Sequence, residues 1–526
     1  MGDTINGNAA VYFVDRHAQG SLASKAAFVE ADAAKRTLSY GELGEQSARM
    51  ADLYEKHGIA RESRVALLVL DQIEFPIIFW GSLKAGVIPV AINTLLVSEI
   101  YRTILSDSRA QALFISPPLL PAVSDILPDL PDLKRVFIIN SDDGDYGDGG
   151  GVEITGEHLD FHAELAACSP RPTLQVGADE SAFWLYSSGS TGQPKGVRHV
   201  HGSLKFTADT YGAQVLQINK DDLVYSAAKF FFAYGLGNAL TFPMSVGAAT
   251  LLLSGRPTPD SVFDVLNTHK PNIFCGVPTL YAALIAHLDG GNAELKTSLT
   301  KCISAGEALP EEVGKNWQKH SGCEILDGVG STEMLHIFLS NSPGDVVYGT
   351  SGRAVPGYQV RLVNEAGETP AIGEIGELLV KGDSAASDYW NQRGKSRETF
   401  EGQWTRTGDK YEERQDGRMI YCGRTDDMFK VSGIWVSPFE VEQALSAHTS
   451  VLEAAVVPAR DEQDLEKPKA FVVLNQGVER QGLEDQLQQH VKDQIGKWKY
   501  PRWIEIVEDL PKTATGKIQR FKLRDD

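Results

Sequence analysis

Tyr186 to Val197 reads YSSGSTGQPKGV, a run of serine, threonine and glycine that closes on a lysine. Hydroxyls and backbone N–H groups donate hydrogen bonds, glycine lets a backbone approach a ligand closely, and Lys195 adds a cation. Ser187, Ser188, Gly189, Ser190, Thr191, Gly192 and Lys195 together suit the β- and γ-phosphates of a nucleotide. The spelling is not that of a P-loop, which needs Gly, four residues, then Gly-Lys-Ser/Thr. Pro194 precedes this lysine, and proline has no N–H to offer and a fixed φ. Alone, the run reads equally well as a plain Ser/Gly turn.

Five further stretches change that balance. Asp327-Gly-Val-Gly-Ser-Thr-Glu333 is expected to end a strand in a glycine turn, with Thr332 donating to a phosphate oxygen and Glu333 sharing Mg²⁺ with the phosphates. Ser304-Ala-Gly-Glu-Ala-Leu-Pro310 offers a flat backbone shelf for a purine. In Thr405-Arg-Thr-Gly-Asp409 a carboxylate follows a tight turn, placed to accept both hydroxyls of a ribose. Gly423–Gly433, GRTDDMFKVSG, carries Arg424, whose fork spans ribose or phosphate oxygens. Pro511-Lys-Thr-Ala-Thr-Gly-Lys517 is a second glycine-turn lysine near the C-terminus.

The elements that must position these residues are short β-branched runs alternating with helical stretches. Val65–Leu70, Ala112–Ile115, Val136–Ile139, Phe183–Tyr186, Thr250–Leu253, Asn272–Phe274, Cys302–Ser304 and Ile325–Leu326 read as strands. Pro259–Thr268 and Thr279–Leu288 read as helices between them. Alternation of this kind predicts an α/β fold of βαβ units, with sheets covered by helices. Beyond residue 423 the pieces shorten: Leu452–Val457 and Ala470–Leu474 as strands, Gly482–Lys497 as a helix with Leu483, Leu487, Val491 and Ile495 in one core-facing stripe. That is enough for a small separate α+β domain. Asp142–Gly151, DDGDYGDGGG, reads as an acidic surface loop without a function.

At 526 residues the chain exceeds one ordinary core, so two or more domains are expected. An apolar fraction of 42% and a charged fraction of 23% are those of a globular protein. A net charge of −20 argues against a general nucleic-acid or anionic-membrane binder. An anionic ligand must therefore be met by local cations and N–H groups. Cys168, Cys275, Cys302, Cys323 and Cys422 form no Cys-x-x-Cys pair and suggest reduced thiols. No signal peptide or membrane span is visible, and a cytoplasmic protein is expected. Whether it forms a homodimer is left open.

YSSGSTGQPKGV, GVGSTE, TRTGD, GRTDDMFKVSG and PKTATGK occur in the order found in acyl-CoA synthetases, adenylation domains and firefly-type luciferases, and the chain resembles that superfamily over nearly its whole length. The segments FFAYGLGN and STEMLHIFLSN most resemble benzoate–CoA ligases. The resemblance implies a large N-terminal domain of layered sheets, residues 1–425, and a small mobile C-terminal lid, residues 426–526, with the active site between. It implies that residues 187–195 wrap the phosphates of ATP, Thr332 contacts the α-phosphate and Glu333 helps hold Mg²⁺. Gly306, Glu307, Ala308, Asp327 and Gly328 would line the adenine pocket, Asp409 would take the ribose and Arg424 would approach from the lid side. Lys517 would be the catalytic lysine of acyl-adenylate formation and Asp426 the hinge. After the lid turns, Lys430, Ser432 and Gly433 would guide the pantetheine arm of CoA.

The acyl pocket is expected at Lys229–Gly237, with Ala233 and Tyr234 as one wall and Gly330, His336 and Ile337 as the other. Such a slot suits an aromatic carboxylate and is short for a fatty chain. Amino-acid-activating relatives tend to carry Phe-Asp where this chain has Phe232-Ala233. A substrate ammonium would be unpaired here at a cost of several kcal/mol, roughly the magnitude for buried polar groups. Phe230 and Phe231 read as core, His336 serves either as pocket wall or as a packed, hydrogen-bonded histidine, and His199 and His201 are expected to cap or line the next helix. The leading expectation is an AMP-forming benzoate–CoA ligase. A module loading a free carrier protein, a ligase for 4-hydroxybenzoate or short-chain acids, and an NTPase releasing ADP are the alternatives.

Overall fold

A computed structural model describes residues 7–31, 35–140, 158–188, 193–296, 299–425, 427–431, 434–462, 465–475, 477–496, 499–512 and 518–524. Two sheets dominate. The first, eight-stranded among the described residues, has at its centre the parallel strands Ile88–Ala91, Arg64–Leu68, Ala112–Ile115 and Arg135–Ile138. Ser181–Ser188 runs parallel to Ile88–Ala91, and Pro194–Val200 and then Asp388–Tyr389 add antiparallel strands at that edge. The second, nine-stranded, has the parallel series Ala26–Glu30, Ala249–Leu252, Leu223–Ser226, Ile273–Gly276, Lys301–Ser304 and Ile325–Gly330. Central strands such as Ile88–Ala91 and Ile273–Gly276 are buried at every residue, as parallel strands covered on both faces must be.

One apolar cluster joins the two sheets: Val65, Phe114 and Leu185 from the first meet Phe28, Val224 and Ile303 from the second through helices between them. The helices start where the chain supplies caps. Before Tyr40–Lys56, Ser39 and Glu42 exchange side chain-to-backbone bonds, and Thr258 and Ser261 do the same before Pro259–His269.

All eight expected N-terminal strands and both helices are present, with ends shifted by up to four residues. A third sheet was not expected: Gln359–Val363, Ile375–Lys381, Trp404–Glu413, Phe400–Glu401 and Met419–Arg424 pair antiparallel. Two local expectations are corrected. Residues 327–330 are not a turn, because Ile325–Gly330 stays a strand through Gly330 and pairs with Ile337–Ser340. Residues 405–409 lie inside Trp404–Glu413 as a bulge, since the register with Ile375–Lys381 shifts between Glu377 and Leu379.

The C-terminal part is a separate small α+β unit. Val451–Arg460, Glu466–Leu474 and Trp503–Ile506 form its sheet, and Leu483, Leu487 and Val491 of helix Leu483–Ile495 are buried in its core, with Ile495 partly buried against them. Among the described residues no helix is long and apolar enough to cross a membrane. Asp142–Gly151 lies outside the described residues.

Candidate active site

The site gathers at the carboxyl ends of the parallel strands, where open α/β sheets leave a crevice for ligands. Ser181–Ser188 and Pro194–Val200 form a hairpin in which Ser187 faces Lys195 and Ser188 faces Pro194. The described ends of the phosphate run are thus paired strands. Gly189, Ser190, Thr191 and Gly192 lie outside the described residues. Ser187 Oγ is buried and has no hydrogen-bond partner among the described residues, as a donor awaiting an anion would be. Lys195 Nζ lies 3.9 Å from Glu333 Oε1, and burial lowers the lysine's pKa.

Thr332 and Glu333 are held from two sides. The carbonyl of Thr332 accepts from His199 Nε2 at 2.8 Å, and the carbonyl of Glu333 accepts from Ala386 N–H at 2.7 Å. The Tyr389 hydroxyl donates to Glu333 Oε1 at 2.8 Å. His199 does not cap the next helix. It lies within the strand Pro194–Val200, stacked on Phe183 at 5.1 Å, because alternation along that strand turns it toward the core. His201 does open helix His201–Thr207, where its Nδ1 accepts from Ala9 N–H. Neither Tyr389 nor the Thr332 contact of His199 was legible beforehand, since both are long-range pairings.

Burial brings His199 down to about 4 from the usual 6.5. Between those values the folded imidazole is neutral while the unfolded one takes up a proton, so its share of stability is present above about pH 6.5 and is lost as pH falls toward 4. His199→Gln keeps a donor for Thr332 and removes the titration. Its stability is expected to fall less steeply over that window, by up to about 1.4 kcal/mol per pH unit. Urea midpoints of both proteins across the window check this, and equal slopes would contradict it.

On the nucleoside side, the strand Lys301–Ser304 ends as expected in a glycine turn, with Gly306 at φ +97°. Glu307 and Ala308 follow it. Asp327 is buried, and its carboxyl is raised well above the usual range by that burial. Its Oδ1 has no hydrogen-bond partner among the described residues, which suits an exocyclic amino group as donor. Gly328 has a packing reason of its own, since a Cβ there would sit 2.8 Å from the Leu339 carbonyl. Asp409 and Arg424 face each other across adjacent strands, with Arg424 Nη1 donating to Asp409 Oδ1 at 3.0 Å. Gly408, at φ +72°, makes the bulge that allows this, and a Cβ there would lie 2.9 Å from Arg424 Nη2.

The acyl segment is anchored by a residue the sequence reading missed. Asp71, 3% exposed, accepts from Phe230 N–H at 3.2 Å, and burial pushes its carboxyl up to about 6. Phe230 and Phe231 are core. Tyr234 spends its hydroxyl on the Gly276 and Ile303 carbonyls, both at 3.1 Å, and so presents a flat ring. His336 lies 5.8 Å from that ring in a stacked arrangement and donates from Nε2 to the Tyr234 carbonyl at 3.3 Å. Burial lowers it to about 3, so it is a packed, neutral, hydrogen-bonded histidine beside the Tyr234 ring. Ala233 is partly buried against the same core. Gly330 pairs with Ile337, and a Cβ at Gly330 would sit 2.5 Å from the His336 carbonyl.

Asp426, Ser432, Gly433 and Lys517 lie outside the described residues. The backbone of Lys430 belongs to the strand Phe429–Val431, paired with Ile434–Val436. Lys512 and Ile518 form an antiparallel bridge at either end of residues 513–517, and Lys512 is paired with Glu453 at 2.6 Å. Among the described residues no three His, Cys, Asp or Glu side chains gather to hold a metal ion. The Glu333 carboxylate suits a cation shared with phosphate oxygens, the usual manner of Mg²⁺.

A family model described as AMP-binding enzyme matches residues 14–390, and one described as AMP-binding enzyme C-terminal domain matches residues 440–517. The chain is 50% identical over 520 residues to the 4-hydroxybenzoate–CoA/benzoate–CoA ligase of Rhodopseudomonas palustris, covering 98% of this chain and 94% of that protein. It is 49% identical over 521 residues to the benzoate–CoA ligase of Thauera aromatica, covering 98% and 95%. Among solved structures it is similar to a benzoate CoA ligase from Burkholderia xenovorans LB400, with a TM-score of 0.89, 44% identity and coverage of 98% and 100%. An anthranilate CoA ligase in complex with anthranoyl-AMP gives a TM-score of 0.92 at 38% identity, covering 99% and 97%.

Proposed function

Because the chain belongs to the AMP-binding enzyme family, we propose that it is an acid–thiol ligase converting benzoate, ATP and CoA to benzoyl-CoA, AMP and pyrophosphate. The observation that carries this reading is the end-to-end likeness to two ligases for that acid. In the first half-reaction a carboxylate oxygen attacks the α-phosphorus and pyrophosphate leaves; in the second the CoA thiol attacks the acyl carbon and AMP leaves. Residues 187–195 bind the outgoing phosphates and Thr332 meets the α-phosphate. Asp409, steadied by Arg424, takes the ribose, and Gly306, Glu307, Ala308, Asp327 and Gly328 border the adenine. When bound, Mg²⁺ would offset charge on the phosphates, with Glu333 as its protein ligand.

Anion attacks anion in the first step, and Lys517 offsets that repulsion as charge shifts in the transition state. The lid, residues 426–526, turns at Asp426 so that Lys430, Ser432 and Gly433 replace the lysine before the thiol arrives. Ala233, Tyr234, Gly330, His336 and Ile337 enclose the ring.

The testing experiment is pyrophosphate release and thioester formation over a panel of benzoate, its 2-, 3- and 4-substituted forms, and short aliphatic acids, with CoA alone as acceptor. Benzoate is expected to exceed hexanoate clearly. Equal rates on the two, or adenylate formation with no thioester unless a carrier protein is added, would contradict the reading. The double name of the Rhodopseudomonas relative favours 4-hydroxybenzoate as a second substrate, and the panel decides it.

A further inference from the structure

Tyr389 lies on the two-residue strand Asp388–Tyr389, which pairs with Val197 and Arg198 just beyond the phosphate hairpin. Its neighbours fasten it there. Arg198 pairs with Asp388, and Trp390 N–H donates to the Gly196 carbonyl at 2.8 Å. The ring is 4% exposed, and the hydroxyl donates to Glu333 Oε1 at 2.8 Å. Lys195 Nζ stands 4.5 Å from the centre of the same ring and 3.9 Å from the same carboxylate oxygen. Glu333 is thus caught between a neutral donor at hydrogen-bond distance and a cation just beyond it.

We propose that Tyr389 is a positioning residue of the nucleotide site: its hydroxyl commits one oxygen of Glu333, leaving the other for the Mg²⁺ that accompanies ATP and leaving Lys195 for phosphate. The inference rests on the reading of Glu333 as the carboxylate that shares that cation. Without the hydroxyl, Lys195 is the nearest cation to Glu333 among the described residues, with Arg424 farther off, and opposite charges in a partly buried site attract strongly. The carboxylate then closes onto Lys195, and both groups are withdrawn from the ligand. The aromatic ring alone does not prevent this, because its face attracts the ammonium but offers the carboxylate no donor.

Calorimetric binding of ATP with and without Mg²⁺, in the wild type, Tyr389→Phe, Tyr389→His, Glu333→Gln and the Phe/Gln double variant, tests it. The gain in ATP affinity that Mg²⁺ confers is expected to fall about tenfold in Tyr389→Phe, as for a lost hydrogen bond to a charged group. Tyr389→His, which keeps a ring and a donor, is expected to recover part of that gain and serves if the Phe variant is unstable. In the Glu333→Gln background, Tyr389→Phe is expected to change nothing further. A Tyr389→Phe protein that keeps the Mg²⁺ gain within twofold, with Glu333→Gln impaired, overturns this inference alone, and so does an equal loss from Tyr389→Phe in both backgrounds. A Glu333→Gln protein that binds Mg²⁺ and ATP like the wild type overturns the role of Glu333 and the inference with it.

Discussion

Lys517→Ala is expected to lower benzoyl-adenylate formation by about 10²–10³-fold, the usual cost of removing one donor aimed at developing charge. ATP affinity is expected to stay near that of the wild type, because a contact made in the transition state contributes little to ground-state binding. The described residues on either side of 513–517 are anchored. Lys512 and Ile518 pair across residues 513–517, and Gln519 N–H donates to the Pro511 carbonyl at 2.8 Å. The Lys512–Glu453 pair fastens Lys512 to the strand Val451–Arg460, and Arg520 pairs with Glu442 at 2.7 Å. Pyrophosphate release with benzoate measures the first half-reaction, and thioester formation from supplied benzoyl-adenylate and CoA measures the second. Loss in both to the same degree, or in neither, would remove Lys517 from the adenylation step.

Asp409→Ala is expected to raise the KM for ATP by about 10²-fold or more. Two hydrogen bonds from ribose hydroxyls to a carboxylate account for much of this, at about 1.5–3 kcal/mol for each bond to a charged group. The carboxylate is well placed for the role: it is 8% exposed, its own N–H donates to Thr407 Oγ1 at 3.1 Å, and Arg424 holds one oxygen. The opposed charge also raises the pKa of Arg424, which stays ionised. 2′-Deoxy-ATP offers the matching check. The wild type is expected to discriminate against the deoxy nucleotide and Asp409→Ala much less so. Equal ATP dependence in the two proteins would contradict the assignment.

The parts of this fold that were legible in the sequence are those whose residues carry a local signal. Buried parallel strands such as Ala112–Ile115 are continuous apolar runs, and the C-terminal helix shows its stripe at Leu483, Leu487 and Val491. The third sheet was missed because its strands mix charge into the pattern: Trp404–Glu413 reads WTRTGDKYEE, with polar residues at most positions. The bulge at Gly408 looks in sequence like a turn, since both need a positive φ. The nucleotide side chains were named from ordered motifs. The supports beneath them were not, because Asp71 reaches Phe230, His199 reaches Thr332 and Tyr389 reaches Glu333 across 50 to 160 residues of chain, roughly, and such pairings leave no spacing to read.

The central claim, that this chain splits ATP between its α- and β-phosphorus to activate an aromatic acid, is tested most directly by identifying the products. With benzoate, ATP, Mg²⁺ and CoA, separation by chromatography is expected to show AMP, pyrophosphate and benzoyl-CoA in equal amounts, and bound benzoyl-adenylate when CoA is omitted. ADP with inorganic phosphate, or ATP consumed at a rate indifferent to benzoate, would contradict it.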